Sequence, residues 1–328
     1  MTGTTSAAVR RRERARRTGG VGALLGMAGI SALWGVVLFV LVMVMIGAVT
    51  TVFAAPIAQI LGVLGSFVAD PGGTRPRPAP ASPSTRISVV IPCRDDAAML
   101  AVCLAALAAQ TLLPFEVIVV DNGSIDESRS VALAAGARVV AAHAGGIPNA
   151  TALGLDASRG EILARLDADS RPAPDWLERV AADLCDPDGW SAVTGTGEFY
   201  GTRRLLAWAG RVLYLGGYFR AVGAMLGHPP LFGSNLALQC TTWRRMSPLV
   251  HRERTDIHDD LDLSIQLEPD MSVLYDPRLR VGVSGRQLAS WPSLRRHLAW
   301  SVNTFALDRE QMTLAARRRS RNRCRRRR

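Results

Sequence analysis

Apolar and polar positions divide the chain into three regimes. From Gly19 to Ala69 about fifty residues pass without a charged side chain. As helix, at ~1.5 Å per residue, such a run would reach roughly 75 Å, against the ~30 Å hydrocarbon thickness that one crossing needs. The pattern therefore predicts two crossings, approximately Val21–Leu41 and Thr51–Val68, turned through Gly47-Ala48-Val49-Thr50, with Pro56 tolerated in the second. A secretory signal peptide is the alternative, but its apolar part should be only ~7–15 residues. Residues 70–85, DPGGTRPRPAPASPST, are dense in proline and small polar residues and read as a semi-extended linker.

Beyond Arg86 the pattern changes to short β-branched runs separated by helical ones. Strands are predicted at Ile87–Ile91, Phe115–Val120, Ala137–Ala142 and Glu161–Leu166, and helices at Asp95–Gln110, Asp126–Ala135, Asn149–Ser158 and Asp175–Leu184. Such alternation implies βαβ units and a mostly parallel, doubly wound α/β sheet. In these sheets ligands gather outside the carboxyl ends of the strands. Arg203–Leu226 carries leucines and aromatics at near-helical spacing and predicts a core-facing helix, with a lipid-facing role as the alternative. Residues 291–316 predict an amphipathic helical region of the kind that lies in a headgroup plane.

Composition narrows the class. With 48% hydrophobic and 20% charged residues the chain is not a disordered polymer. Five cysteines, an odd number without metal-ligand spacing, argue against a disulfide framework and for a reducing compartment. Every basic residue is Arg; Arg10–Arg17 carries +5 and Arg317–Arg328 carries +9, which leaves −3 for the remainder of a chain of net charge +11. The basic character thus belongs to the tails, so nucleic acid is not an expected partner, whereas tails of this kind beside a bilayer attract anionic lipid. The positive-inside rule puts both flanks of the apolar stretch on the cytoplasmic side. The expected localisation is the cell membrane, multi-pass through two helices, with the soluble domain facing the cytoplasm.

Candidate chemistry lies at the strand ends. The first strand runs into Pro92-Cys93-Arg94-Asp95-Asp96, the second into Asp121-Asn122-Gly123-Ser124, the fourth into Asp167-Ala168-Asp169. A lone Asp after a strand is commonly a helix N-cap, which accounts for Asp126 and bears on Asp95. Asp167 and Asp169 together are different: like charges two positions apart at a strand end are costly unless a cation neutralises them. Hard oxygen ligands suit Mn²⁺ or Mg²⁺, which bind through one or two carboxylates plus substrate phosphates, so the expected cofactor is a divalent metal and the expected ligand a nucleoside diphosphate. Asp259-Asp260-Leu261-Asp262 reads as a helix start with acids favoured by the macrodipole, which leaves Asp260 unexplained.

In their order, ISVVIPCRDD, VIVVDNGSIDES, GEILARLDADSRP, LFGSNLAL and HDDLDLS resemble the family 2 glycosyltransferases, with a GT-A fold, over about Ile87–Ser290. The resemblance implies that Asp96 or Asp95, with Asp121, contacts the nucleotide base of a UDP-sugar, Pro92 lying in the same strand end. It implies metal ligation by Asp167 and Asp169, with Asp169 the more direct. The E-D pair of the family falls on Asp259 and Asp260, Asp260 being the catalytic base and Asp259 tuning it. Asn235, after Gly233, would lie at the sugars, with a plain turn into a strand as the alternative. Arg286, whose guanidinium can bind phosphate bidentately, is a candidate for the diphosphate, with a surface cation as the alternative. Two departures matter. No Q-x-x-R-W follows the base, which disfavours processive polymerisation, and Ala150-Thr151-Ala152 stands where the family carries A-R-N, which makes UDP less secure than nucleoside diphosphate in general.

The chain is thus expected to comprise a basic tail (1–18), a transmembrane segment (19–69), a linker (70–85), a catalytic domain (86–290), an amphipathic region (291–316) and an Arg-rich tail (317–328). The expected function is transfer of a single sugar, with inversion, to a lipid-linked or cell-envelope acceptor. The alternative is a membrane-tethered binding or scaffold protein with a degenerate transferase fold. A dehydrogenase is excluded because no strand runs into G-x-G-x-x-G.

Overall fold

The computed structural model describes residues 85–142, 146–185, 189–286 and 291–307. The β-branched runs form strands Ile87–Cys93 (β1), Glu116–Asp121 (β2), Arg138–Ala141 (β3) and Ile162–Arg165 (β4). All four lie parallel, with β1 between β2 and β4 and β3 beyond β2. Pairing of Cys93 with Asp121 and of Val90 with Arg165 brings the polar strand ends to one edge of the sheet. Helices Ala97–Ala108 (α1), Ser128–Ala134 (α2), Gly146–Ala157 (α3) and Trp176–Leu184 (α4) alternate with these strands as their periodicity requires.

Beyond β4 the sheet becomes mixed. After the two-residue strand Arg171–Pro172 (β5) come Ala192–Tyr200 (β6), Leu236–Gln239 (β7) and Val273–Ser284 (β8), in the order β3-β2-β1-β4-β7-β6-β8-β5. β6 and β8 are parallel to each other, whereas β7 runs antiparallel to both β4 and β6, and β5 antiparallel to β8. A four-residue apolar strand, LALQ, carries no sign of its direction, because it is buried whichever way it runs. The direction has a consequence: Leu236 pairs with Arg165, so Gly233-Ser234-Asn235 enters the sheet where β4 ends.

Apolar layers cover both faces. Leu100, Leu107, Trp176 and Val180 cover one, and Leu155, Trp243, Met246 and Leu263 the other, from α3 and helices Cys240–Met246 (α7) and Asp259–Gln266 (α8). Helix α3 lies so close to the sheet that a Cβ on Gly154 would meet Val90 Cγ1 at 2.3 Å. Asn235 is wholly buried and ties three elements: Nδ2 donates to Thr196 O at 2.9 Å and Leu279 O at 2.7 Å, and Oδ1 accepts from Trp176 Nε1 at 2.8 Å.

Residues 204–226 form Arg204–Ala209 (α5), a π-helical stretch Gly210–Leu215 and Gly216–Leu226 (α6). The expectation of a core-facing helix is corrected here. Leu215, Val222 and Leu226 are buried, but Leu205 is 76% and Leu213 68% exposed, with Trp208 exposed as well. The wider π turn, together with Gly216, interrupts the 3.6-residue stripe that would have kept one face inward. The last helix runs Trp291–Leu307 (α9).

The expected two-span membrane localisation is also corrected: among the described residues no helix is long and apolar enough to cross a membrane. Val21–Leu41, Thr51–Val68, the linker and both Arg-rich tails lie outside the described residues.

Asn235→Ala should lower the unfolding free energy by about 2–4 kcal/mol, because two carbonyls and an indole N–H would be left unsatisfied in the core. Urea denaturation of the variant against wild type reads this as a drop in midpoint at unchanged slope.

Candidate active site

The strand EILARL places an arginine, Arg165, at the last position of β4, where its side chain is only 2% exposed. A guanidinium there must find countercharge. It finds Asp167 at 2.8 Å and Asp259 at 2.9 Å. Burial works against its charge, but the carboxylates of Asp167, Asp259 and Asp260 outweigh it and hold its pKa above the ordinary value. The contact requires glycine at 233, since a Cβ there would meet Arg165 Nη1 at 2.4 Å and Asp260 Oδ2 at 3.2 Å.

Asp259 and Asp260 open helix α8, where the macrodipole favours acids. Asp259 Oδ2 also accepts from Thr151 Oγ1 at 2.7 Å, so the segment that departs from the family's A-R-N pattern supplies a hydroxyl to this pair. Asp260 Oδ2 accepts from the Gly233 N–H and Oδ1 from its own helix at Leu261 N–H, both at 2.8 Å. Burial, and then the neighbouring Asp259, push the Asp260 carboxyl above the usual carboxylate range, against the opposing pull of His258, Arg165 and the Gly233 N–H.

Asp167 accepts a short hydrogen bond from Ser234 Oγ. Asp169, on the turn that follows, is 9% exposed, and burial and then Asp167 raise its pKa. Arg286 bonds Asp169 at 2.9 Å and Asp96 at 2.6 and 3.2 Å. It thereby joins the end of β8 to the loops after β1 and β4. Tyr200 Oη donates to Asp169 O at 2.6 Å and fixes the turn.

One cleft is lined by Arg165, Asp167, Asp169, Asp259 and Asp260. Asp96 and Arg286 connect to it through Asp169. Asp121 closes a local turn, accepting from Ser124 N–H at 2.9 Å. Asp95 sits at φ 52° with Oδ1 on Ile125 N–H, and Pro92 lies within β1 opposite Val120. Asp126 caps the start of α1 through Ala97 N–H as well as accepting from Ser128. Asn235, expected at the sugars, is instead sequestered in the core with its donors and acceptor engaged. The sequence reading passed over Arg165 and Ser234; a charged residue inside an apolar strand was the available signal for the first.

Among the described residues no group of three or more His, Cys, Asp and Glu is placed to hold a metal ion. Asp167 and Asp169 nevertheless fit an ion that takes two carboxylates and completes its shell with water and phosphate. Asp169 is buried, its charge is disfavoured by Asp167, and it already holds a cation, the Arg286 guanidinium.

Residues 88–233 match the family model described as Glycosyl transferase family 2. Glycosyltransferase AglE of Haloferax volcanii is 34% identical over 119 residues, covering 34% of this chain and 36% of that protein. The uncharacterized glycosyltransferase Rv0539 of Mycobacterium tuberculosis is 34% identical over 109 residues, 33% of this chain and 47% of that one. The chain thus matches less than half the length of these curated relatives. In fold it is similar to the mannosyltransferase PcManGT of Pyrobaculum calidifontis, solved with GDP-Man and Mn²⁺, at a TM-score of 0.55 and 20% identity over 83% of this chain and 81% of that one.

Arg165→Met should cost about 3 kcal/mol near pH 8 by leaving buried carboxylates unpaired. Without the guanidinium the Asp260 carboxyl, already above its unfolded-state value, rises further, so the folded state binds more protons. Stability lost at pH 8 should therefore be partly regained as pH falls towards 5. Urea midpoints for variant and wild type at the two pH values check this, and a loss that grows with acid contradicts it.

Proposed function

We propose that the chain, whose residues 88–233 match the Glycosyl transferase family 2 model, moves one sugar from a nucleoside-diphosphate donor, of the UDP-sugar class, to a hydroxyl of a lipid-linked or cell-envelope acceptor. The observation that carries the proposal is the convergence of Asp167, Asp169 and Asp260 on one cleft, although they come from a strand end and a helix start far apart in sequence. In this reading Asp260 is the catalytic base. Its carboxyl takes the acceptor hydroxyl's proton as the oxygen bonds to the anomeric carbon from the face opposite the diphosphate, and the carbon–oxygen bond to phosphate breaks with its electron pair on the leaving group. That order inverts the anomeric centre.

A raised pKa suits this task, since a carboxylate of higher pKa is the stronger proton acceptor. Asp259 contributes to the rise, while Arg165 holds Asp259 in place. The Gly233 and Leu261 N–H groups orient the two oxygens of Asp260. Asp167 and Asp169 would hold a divalent cation, which when bound offsets charge growing on the departing diphosphate. Asp96 and Asp121, at adjacent strand ends, belong to the nucleotide side, and Arg286 is free to exchange its bonds to Asp96 and Asp169 for diphosphate oxygens once a cation takes over Asp169. Apolar side chains exposed along 204–226 support an acceptor with a greasy portion. In the scaffold alternative, with its degenerate site, Asp260 would have no reason to remain buried beside Asp259.

Calorimetry with UDP-glucose and GDP-mannose, each with and without Mn²⁺, should show metal-dependent binding of one donor. Asp169→Asn should remove the metal dependence. Asp260→Asn should leave donor binding within about twofold while lowering transfer or donor hydrolysis by at least ~10³. Wild-type-like turnover in Asp260→Asn refutes its role as base.

A further inference from the structure

We infer that the acceptor enters as a neutral, ring-bearing alcohol, such as a saccharide hydroxyl, rather than as a phosphate oxygen, and that Tyr214 and Trp300 are the faces it lies against. The inference rests on the transferase reading and names the substrate class of the same cleft.

Away from Asp167 and Asp169 the cleft wall changes character, passing from carboxylates to Tyr214, Phe232, His258, His297 and Trp300. Tyr214 comes from the π-helical stretch 210–215. Its phenol senses Asp260: burial first, and then the Asp260 charge, push it up to about 12, so it stays neutral beside the base. The same cleft is lined by an aromatic cluster. The rings of His258 and His297 stack at 5.2 Å and 12°, and Trp300 stands edge-on to them at 5.6 and 5.9 Å. His258 Nε2 is held by His297 O at 2.9 Å. Burial, then His258 and Arg296, drop the His297 pKa to about 4, so this side chain brings no positive charge at neutral pH.

Among the described lining residues no guanidinium is left over for a second anion. Among the described residues lining the cleft, Arg165 is the only Lys or Arg, and it is spent on Asp167 and Asp259. Arg296 lies over the Trp300 ring at 5.7 Å but is not part of the lining. A phosphate monoester arriving beside Asp259 and Asp260 would meet like charge with no guanidinium to receive it. A sugar ring needs none: its C–H faces suit aromatic walls, and its hydroxyls can reach Asp260 and the Tyr214 phenol.

The test is calorimetry on the full chain with Mn²⁺ and UDP or GDP, titrating p-nitrophenyl β-D-glucoside and the same glycoside phosphorylated at O6. The neutral probe should bind at least ten times more tightly. Tyr214→Ala and Trp300→Ala should each weaken it by about tenfold while leaving the nucleotide Kd unchanged, and Tyr214→Phe should bind it within about threefold of wild type. Equal or tighter binding of the phosphorylated probe, binding of neither, or insensitivity to both alanine variants overturns the inference. Failure of UDP and GDP alike to bind with Mn²⁺ in the same series counts instead against the transferase reading.

Discussion

A buried guanidinium makes the rest of this site possible. Asp167, Asp259 and Asp260 crowd the end of β4, and three carboxylates in a partly dry cleft would otherwise protonate or push the loops apart. Arg165 settles the matter by standing between two of them at 2.8 and 2.9 Å. Its effect is uneven. Asp167 and Asp259 are paired directly, while Asp260 receives only backbone N–H groups and a more distant attraction, and its pKa remains raised. One cation thus pairs with two neighbouring acids and leaves the third, Asp260, with a raised pKa.

The fold serves that arrangement. The parallel half of the sheet delivers the ends of β1, β2 and β4 to one edge, and the reversal at β7 returns the chain to the same edge, so that Gly233 can offer its N–H to Asp260 and Ser234 its hydroxyl to Asp167. Only glycine fits at 233, because the space a side chain would take is already filled by Arg165. Asn235, two residues on, pins this loop to β6, β8 and Trp176 from below. Loss of rigidity there would be felt at Asp260.

How much of this was legible in the sequence follows from the range over which each feature is determined. The first four strands and the helices between them are set by local periodicity, and the predicted segments agree with the observed ones to within a few residues. The acids that line the cleft were legible because strand-end position and spacing are local properties. Arg165 was not, since only the long-range approach of Asp259, 94 positions later, explains a charge within an apolar strand. Asn235 looks like a ligand contact by motif but is a core bracket by geometry. The direction of β7 and the outward apolar face of 204–226 depend on tertiary placement and a π turn that periodicity does not encode. The two-span membrane localisation was read from composition alone in residues that lie outside those described, and no described helix supports it.

In the proposed function Asp167 and Asp169 seat a divalent cation, and Asp260 acts as a base without being a ligand. Crystals grown with Mn²⁺ and UDP, with diffraction measured at the manganese absorption edge, test it directly. One anomalous peak in contact with Asp169 is expected, with Arg286 no longer bonded to that carboxylate and Asp260 outside the coordination shell. No peak at Asp169, or manganese bound to Asp260, contradicts it.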